Sequence, residues 1–398
     1  LIEDMKRLPA GIWALGFVSL FMDISSEMIH GLLPVFLVTA LGASPVMVGL
    51  IEGVGEATAN FAKIFSGTLS DLTGKRKPLA ILGYGLGALS KPFFALAPGP
   101  AFVLGARFAD RVGKGLRGAP RDALVADLAP PGMAGAAYGL RQSLDSVGAF
   151  VGPGLAMVLM WALADNFRAV FWVAVIPGAV AVLILALAVR EPPRPAEFAP
   201  PPKLDRATLA RLPRAFWSVV AAGAVLTLAR MSEAFAILRA EDLGLALGLS
   251  PMILVVMNIV SSAVTYPVGV LSDRIGRKRL LALGFGALIA AHLTLAAAAG
   301  LAAVFLGAAL WGLHLALSQG LLSALVADTA PAELRGTAFG LFNLASGAAL
   351  LAASLAAGAL WETIGPEATF LAAAAFAALG LMAFLFAARR RPPPDPEL

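Results

Sequence analysis

The sequence predicts an all-α membrane protein of twelve transmembrane helices, arranged as two six-helix, pseudo-symmetric bundles. Three observations carry that prediction. The 398 residues are 59% hydrophobic and only 14% charged, where soluble domains carry about 25% charged residues, and the mean hydropathy is +0.84. Apolar runs long enough to cross a hydrocarbon core of about 30 Å recur along almost the whole chain. The second half of the chain repeats the first.

Taken in order, the spans fall near 11–39, 45–69, 78–97, 100–126, 135–163 and 168–189, then near 215–240, 250–272, 279–299, 301–327, 336–362 and 367–388. The first is too long for a signal h-region and has acidic residues inside it, so no cleavable leader is expected. The long polar stretch between the two groups, 190–214, is rich in proline and charge, the composition of an extended linker. The domain reading is therefore a first bundle over 1–189, a cytoplasmic linker over 190–214 and a second bundle over 215–398.

Orientation follows from the basic residues. Lys6 and Arg7 precede the first span, Lys75, Arg76 and Lys77 join spans 2 and 3, Arg274, Arg277, Lys278 and Arg279 join spans 8 and 9, and Arg389, Arg390 and Arg391 follow the last. With the basic linker they all fall on one side of a twelve-span topology, which predicts a multi-pass protein of the cell inner membrane with both termini cytoplasmic. The net charge of +5 is thereby accounted for without nucleic-acid binding. The lipid bilayer is the expected partner of a monomer.

The repeat is residue by residue. Ala123-Leu124-Val125-Ala126-Asp127 recurs as Ala324-Leu325-Val326-Ala327-Asp328, and Gly135, Ala137, Gly139 and Leu140 match Gly336, Ala338, Gly340 and Leu341. Gly67, Leu69, Ser70 and Asp71 match Gly269, Leu271, Ser272 and Asp273, while Ser26-Glu27 and Ser44-Pro45 match Ser232-Glu233 and Ser250-Pro251. Parallel repeats of six helices are the arrangement of one large class of secondary transporters.

These residues carry a family resemblance. Gly67-Thr-Leu-Ser-Asp71-Leu-Thr-Gly74-Lys75-Arg76-Lys77 resembles the loop between helices 2 and 3 of the major facilitator superfamily, and Gly269-Val-Leu-Ser-Asp273-Arg274-Ile-Gly276-Arg277-Lys278 resembles its second-half copy. The resemblance covers nearly the whole chain and is nearest to bacterial drug and metabolite efflux permeases. Arg111 with Gly115 resembles the helix-4 arginine motif, and Gly148-Ala-Phe-Val-Gly152-Pro153-Gly154 the helix-5 motif typical of efflux members, with fewer glycines after the proline. The resemblance implies that Gly67, Asp71, Gly74, Lys75 and Arg76, with Gly269, Asp273, Arg274, Gly276 and Arg277, form a conformational latch for the outward-open state. It also places helices 1, 4, 7 and 10 around a central cavity.

The chemistry is expected where charge enters the membrane, since an ionised side chain at mid-bilayer costs about 2.5–3.5 kcal/mol even on the mildest scale and faces a bundle interior or a cavity. Helix 4 carries Arg107, Asp110, Arg111, Lys114, Arg117, Arg121 and Asp122, which at about 100° per residue fall within an arc of roughly 140°. Asp23, Glu27 and His30 share a face of helix 1, Glu52, Glu56 and Lys63 a face of helix 2, and Tyr138, Arg141, Gln142 and Asp145 a face of helix 5. Two compatible readings stay open: the acids neutralise helix 4 inside the first half, or some of these charges face the cavity. The expected substrate and proton site is Asp23, Glu27, His30, Arg111, Lys114, Arg117, Arg141, Asp145, Arg230, Glu233, His314, Gln319 and Asn343, with Glu27 and Glu233 related by the repeat. His292, isolated in an apolar helix, reads as structural.

Several classes are excluded or disfavoured. The chain has no cysteine, so disulfides, thiolate metal sites and cysteine nucleophiles are excluded. Asp23, Glu27, Met28 and His30 include metal-ligand types, but Met28 lies off the Asp/Glu/His face, and no metal site or cofactor is expected. Nothing favours an integral-membrane enzyme or a non-transporting sensor. The expectation is a secondary active transporter of a small organic solute, anionic or zwitterionic, by proton-coupled efflux (an antiporter), with uptake of a metabolite, metal ion or metal chelate as the alternative.

Overall fold

In the computed structural model the described residues are 8–73, 75–130, 133–191, 209–331 and 334–389, with side chains described at all of these except 67–73, 134–135, 266, 269–270, 272–275 and 386–389. Of the expected latch, Gly74 lies outside the described residues, as do the side chains of Asp71, Asp273 and Arg274.

Twelve helical spans follow one another among the described residues. They are α1 (Ala10–His30, continued by Leu33–Val35 and a wide turn at Phe36–Ala40), α2 (Pro45–Thr73), α3 (Arg76–Leu96), α4 (Pro100–Leu128), α5 (Ala134–Ala162), α6 (Phe167–Ala188), α7 (Arg214–Arg230, continued by Ala234–Asp242), α8 (Met252–Ile275), α9 (Arg277–Ala296), α10 (Leu301–Thr329), α11 (Arg335–Thr363) and α12 (Pro366–Arg389). Proline opens α2, α4 and α12, where its fixed φ suits a first turn and its missing N–H costs no hydrogen bond. Asn166 caps α6 by accepting from the Ala169 amide at 3.1 Å. The 29-residue helices α2, α4, α5, α10 and α11 are each about 44 Å long at 1.5 Å per residue and project beyond the ~30 Å hydrocarbon core.

Ten spans are apolar and long enough to cross a membrane among the described residues. The two that are not, α2 and α4, are those interrupted by charge. Helices of this polarity are tolerated only where neighbours cover them, and α4 packs on both α2 and α3.

Packing repeats as the sequence does. In the first half α1 packs on α5 and α6, α4 on α2 and α3, and α3 on α6. In the second, α7 packs on α11 and α12, α10 on α8 and α9, and α9 on α12. Each pair maps onto its counterpart six helices later. The halves meet along α2–α11 and, less extensively, α5–α8. The first seam depends on missing side chains: a Cβ on Gly49 would sit 2.2 Å from the Ser354 carbonyl oxygen, and one on Gly358 2.6 Å from that of Pro45.

The apolar core is asymmetric from end to end. At the end away from the Lys75–Lys77 loop, one cluster joins both halves, with Leu32, Phe36, Ile51 and Phe171 packed together with Phe235, Ile253, Leu295 and Trp311. There the Ser250 hydroxyl donates to the Gly31 carbonyl at 3.2 Å. At the loop end the clusters of described residues stay within a half: one in the first and three in the second. Among the described residues the halves are therefore welded at one end and separate in their cores at the other.

A charged cavity between the halves

The charges of α4 divide into two flanks. On one, Arg107 donates to Glu52 of α2 at 2.6 Å with both side chains buried, and Arg111 lies 3.3 Å from Glu56. On the other, Asp110 accepts from Lys91 of α3 at 2.7 Å and lies 3.8 Å from Arg111. Lys91, almost fully buried, also reaches the Ser26 hydroxyl at 3.1 Å. His30 stands between two glutamates, its Nδ1 3.5 Å from Glu27 and its Nε2 3.6 Å from Glu52. At these distances the ring is placed to interact with both carboxylates through charge when it carries two protons. Acids of α2 thus pair with two of the bases of α4, and Lys91 of α3 with its Asp110, inside the first half, as a buried charge requires.

The remaining charge faces a cavity of about 260 Å³ between the halves. First-half residues Glu27, His30, Glu52, Glu56, Arg111 and Lys114 face Arg230, Ser232, Glu233, Asn258 and Gln319 of the second. Lys114, Arg230 and Glu233 make no hydrogen bond or ion pair within 4 Å among the described residues. Arg230 and Glu233 owe their position to a break in α7. Met231 takes φ 44°, the left-handed region that a non-glycine residue rarely adopts. The Ser232 hydroxyl then accepts from the Ala234 amide at 3.2 Å to restart the helix. All four residues of the break, 230–233, line the cavity.

The glycines of the helix-5 motif seat α5 directly behind this site. A Cβ on Gly148 would sit 2.9 Å from Asp23 Cβ, and one on Gly152 2.9 Å from Glu27 Cβ. Asp23 faces Asp145 of α5, with Arg117 and Lys114 near, and Asp145 lies 3.5 Å from Arg141. Asp145 lines a second cavity of about 390 Å³ between α5 and α8, with Gln142, Ser146, Phe150, Ile259 and Ser262.

Of the residues expected at the site, Glu27, His30, Arg111, Lys114, Arg230, Glu233 and Gln319 line the central cavity. Asp23, Arg141 and Asp145 form the adjoining α1–α5 group. Three other expected residues lie outside the linings of both cavities. Arg117 is buried with its guanidinium 5.0 Å from the Tyr84 ring, because its angle on α4 turns it to α3. His314 is fully buried with Nδ1 2.9 Å from the Gly284 carbonyl, between α9 and α10. Asn343 is half-buried on α11 and is not among the lining residues. His292 holds the Ala229 carbonyl at 3.0 Å, a packed role. Glu52 and Glu56 were read as neutralising partners but not as cavity residues, and Lys91 was overlooked. A lone lysine in an apolar span is itself the signal that marks it. Asn258 and Ser262, at i and i+4 in α8, share a face that lines the second cavity.

At the loop end, basic residues bond within their own half. Arg76 donates to the Ala123 carbonyl at 2.6 Å and pairs with Asp127, and Arg277 pairs with Asp328, the same contact one repeat later. Glu191 accepts from the amides of Arg76 and Lys77 at 2.6 and 3.2 Å, capping α3.

The family model described as Major Facilitator Superfamily matches residues 15–262 and 222–398. An MFS-type transporter of Methanocaldococcus jannaschii is 32% identical over 391 residues, 96% of this chain and 96% of that protein. The multidrug resistance protein MdtH of Photorhabdus laumondii is 30% identical over 172 residues, covering 43% of this chain and 41% of that one. Among solved structures, a mutant of the nucleoside transporter NupG superposes with a TM-score of 0.79 at 12% identity, over 94% of this chain and 99% of that one, a likeness of fold.

Proposed function

The chain belongs to the major facilitator superfamily and is a multi-pass membrane transporter rather than an enzyme; from that premise we propose that it moves a small zwitterionic or anionic solute by alternating access, in exchange for protons. The observation that carries the reading is the set of charges without a direct ion-pair contact on opposite cavity walls: Lys114 on the first half, Arg230 and Glu233 on the second. Two cations and one carboxylate suit a solute bearing an acid group and an amine, and disfavour a lipophilic cation. A solute held by both walls links the two halves, 1–189 and 215–398, as rocking bodies. His30 is the proton site of this reading. Loss of its proton removes a positive charge from between Glu27 and Glu52 and so changes the charge of the wall the solute meets. Export is the direction favoured by the resemblance of the Gly148–Gly154 motif to that of efflux members and by the partial likeness to a multidrug resistance protein. With the basic loops cytoplasmic, the cell inner membrane is the site of action and the protein works as a monomer.

The test is purified protein in liposomes under an imposed pH gradient, with a panel of amino acids, carboxylates and organic cations. Flux of zwitterions or anions that dissipates the gradient, lost in Glu233→Gln and in His30→Asn, is expected. Flux of cations alone, or flux indifferent to the gradient, contradicts the reading.

A further inference from the structure

Ala149 and Asn258 line both cavities, the central one and the one between α5 and α8. The two spaces therefore adjoin at these two residues, and the second forms a side arm beside the charged site. The arm does not lie on the long seam of the halves, since α2 and α11 remain packed from Pro45 against Gly358 to Ile64 against Gly340. Its mouth lies between two membrane spans, flanked by Val147, Phe150, Val151 and Ile259, all exposed, so it faces the bilayer. Its wall grades from Asp145, Gln142 and Asn258 to Phe150 and Ile259, from polar within to apolar at the rim. Size points the same way. The central cavity, at about 260 Å³, falls below the roughly 300–1,000 Å³ of small-molecule sites, and the arm adds about 390 Å³.

We propose that the substrate is a single-chain amphiphile whose zwitterionic head occupies the central cavity while its alkyl chain lies in the α5–α8 arm, entering or leaving sideways through the bilayer. The proposal rests on the charge reading of the central cavity and adds the chain and the route. Lys114 and Arg230 take the acidic group of the head, Glu233 takes the amine, and Ala149 and Asn258 mark where head gives way to chain. Chain burial then adds affinity with each methylene, which a water-soluble head lacks.

The chain has no cysteine, so a single Ala149→Cys carries a bimane label at the junction, in protein held in phosphatidylcholine nanodiscs. The probe is a lysophosphatidylethanolamine brominated in its acyl chain, and the competitor is glycerophosphoethanolamine, the same head without a chain. Saturable quenching is expected, displaced by the competitor only at a concentration at least tenfold higher than the probe's. Adding Ser262→Trp or Ser146→Trp, which fill the arm from either wall, is expected to abolish the chain-dependent part while the head analogue still raises the thermal midpoint. Quenching that rises linearly with probe, resists the competitor, or persists in both tryptophan variants overturns the proposal. Where the head analogue binds and the chain adds nothing, the amphiphile fails and the zwitterion reading stands; where the head analogue neither binds nor competes, both fail.

Discussion

Lys114, Arg230 and Glu233 differ from Arg107, Arg111 and Asp110 in what stands beside them, and their substitutions are expected to separate accordingly. Lys114→Ala or Arg230→Ala removes a free cation from a cavity wall. The expected result is a roughly 10–100-fold weaker affinity for an acidic or zwitterionic solute, the equivalent of about 1.5–3 kcal/mol for a charged hydrogen bond, with little change in thermal midpoint. Arg107→Ala instead strands Glu52 in a buried site, at a cost of about 3–5 kcal/mol. It is expected to lower the midpoint steeply, and adding Glu52→Gln is expected to restore much of it. A scan in which Lys114→Ala melts the protein and Arg107→Ala does not would reverse the assignment. The stripe on α4 was legible because 3.6-residue periodicity puts these residues on one side. The flank each takes was not, because a helical wheel gives angles and not neighbours: Arg117 meets Tyr84 of α3, and nothing in its own helix says so.

At the scale of the element, α5 and α7 position the site by different means. Gly152→Val is expected to force α5 off α1, since its Cβ would meet Glu27 at 2.9 Å. Overpacking of this kind costs about 1–3 kcal/mol, read as a lower thermal midpoint. Gly154→Val, on the same helix with nothing within 4 Å of its Cβ, is the control expected to leave the midpoint unchanged. Helix 7 breaks at Met231 without a glycine or proline in Arg230-Met231-Ser232-Glu233. The periodicity therefore read straight through it, and the break was invisible until tertiary packing revealed it. Ten of the helices were legible from length and apolarity, while α2 and α4, interrupted by charge, were legible from their place in the repeat. The repeat foretold the packing pairs, each recurring six helices on.

At the scale of the molecule, the repeat of the fold is exact enough to reuse contacts, down to Arg76–Asp127 and Arg277–Asp328, while the chemistry is divided unequally. The first half carries the dense ion-pair network, and the second supplies Arg230 and Glu233 at a broken helix. In the proposed mechanism such a body rocks as two similar parts while only the first-half wall changes charge. The apolar weld at one end and separated cores at the other describe one of the two states that alternating access requires. The other must part Gly31 from Ser250 and draw the loop ends together.

The cysteine-free chain allows that exchange to be measured with two pairs of spin labels at the two ends of α5 and α8: Leu163 with Leu249 at the welded end, and Tyr138 with Leu271 at the loop end, all exposed positions. Double electron–electron resonance across a change of pH or on adding substrate is predicted to give opposed shifts, one distance lengthening as the other shortens. Two distances that stay fixed, or that change in the same sense, would contradict a transporter working by alternating access around this cavity.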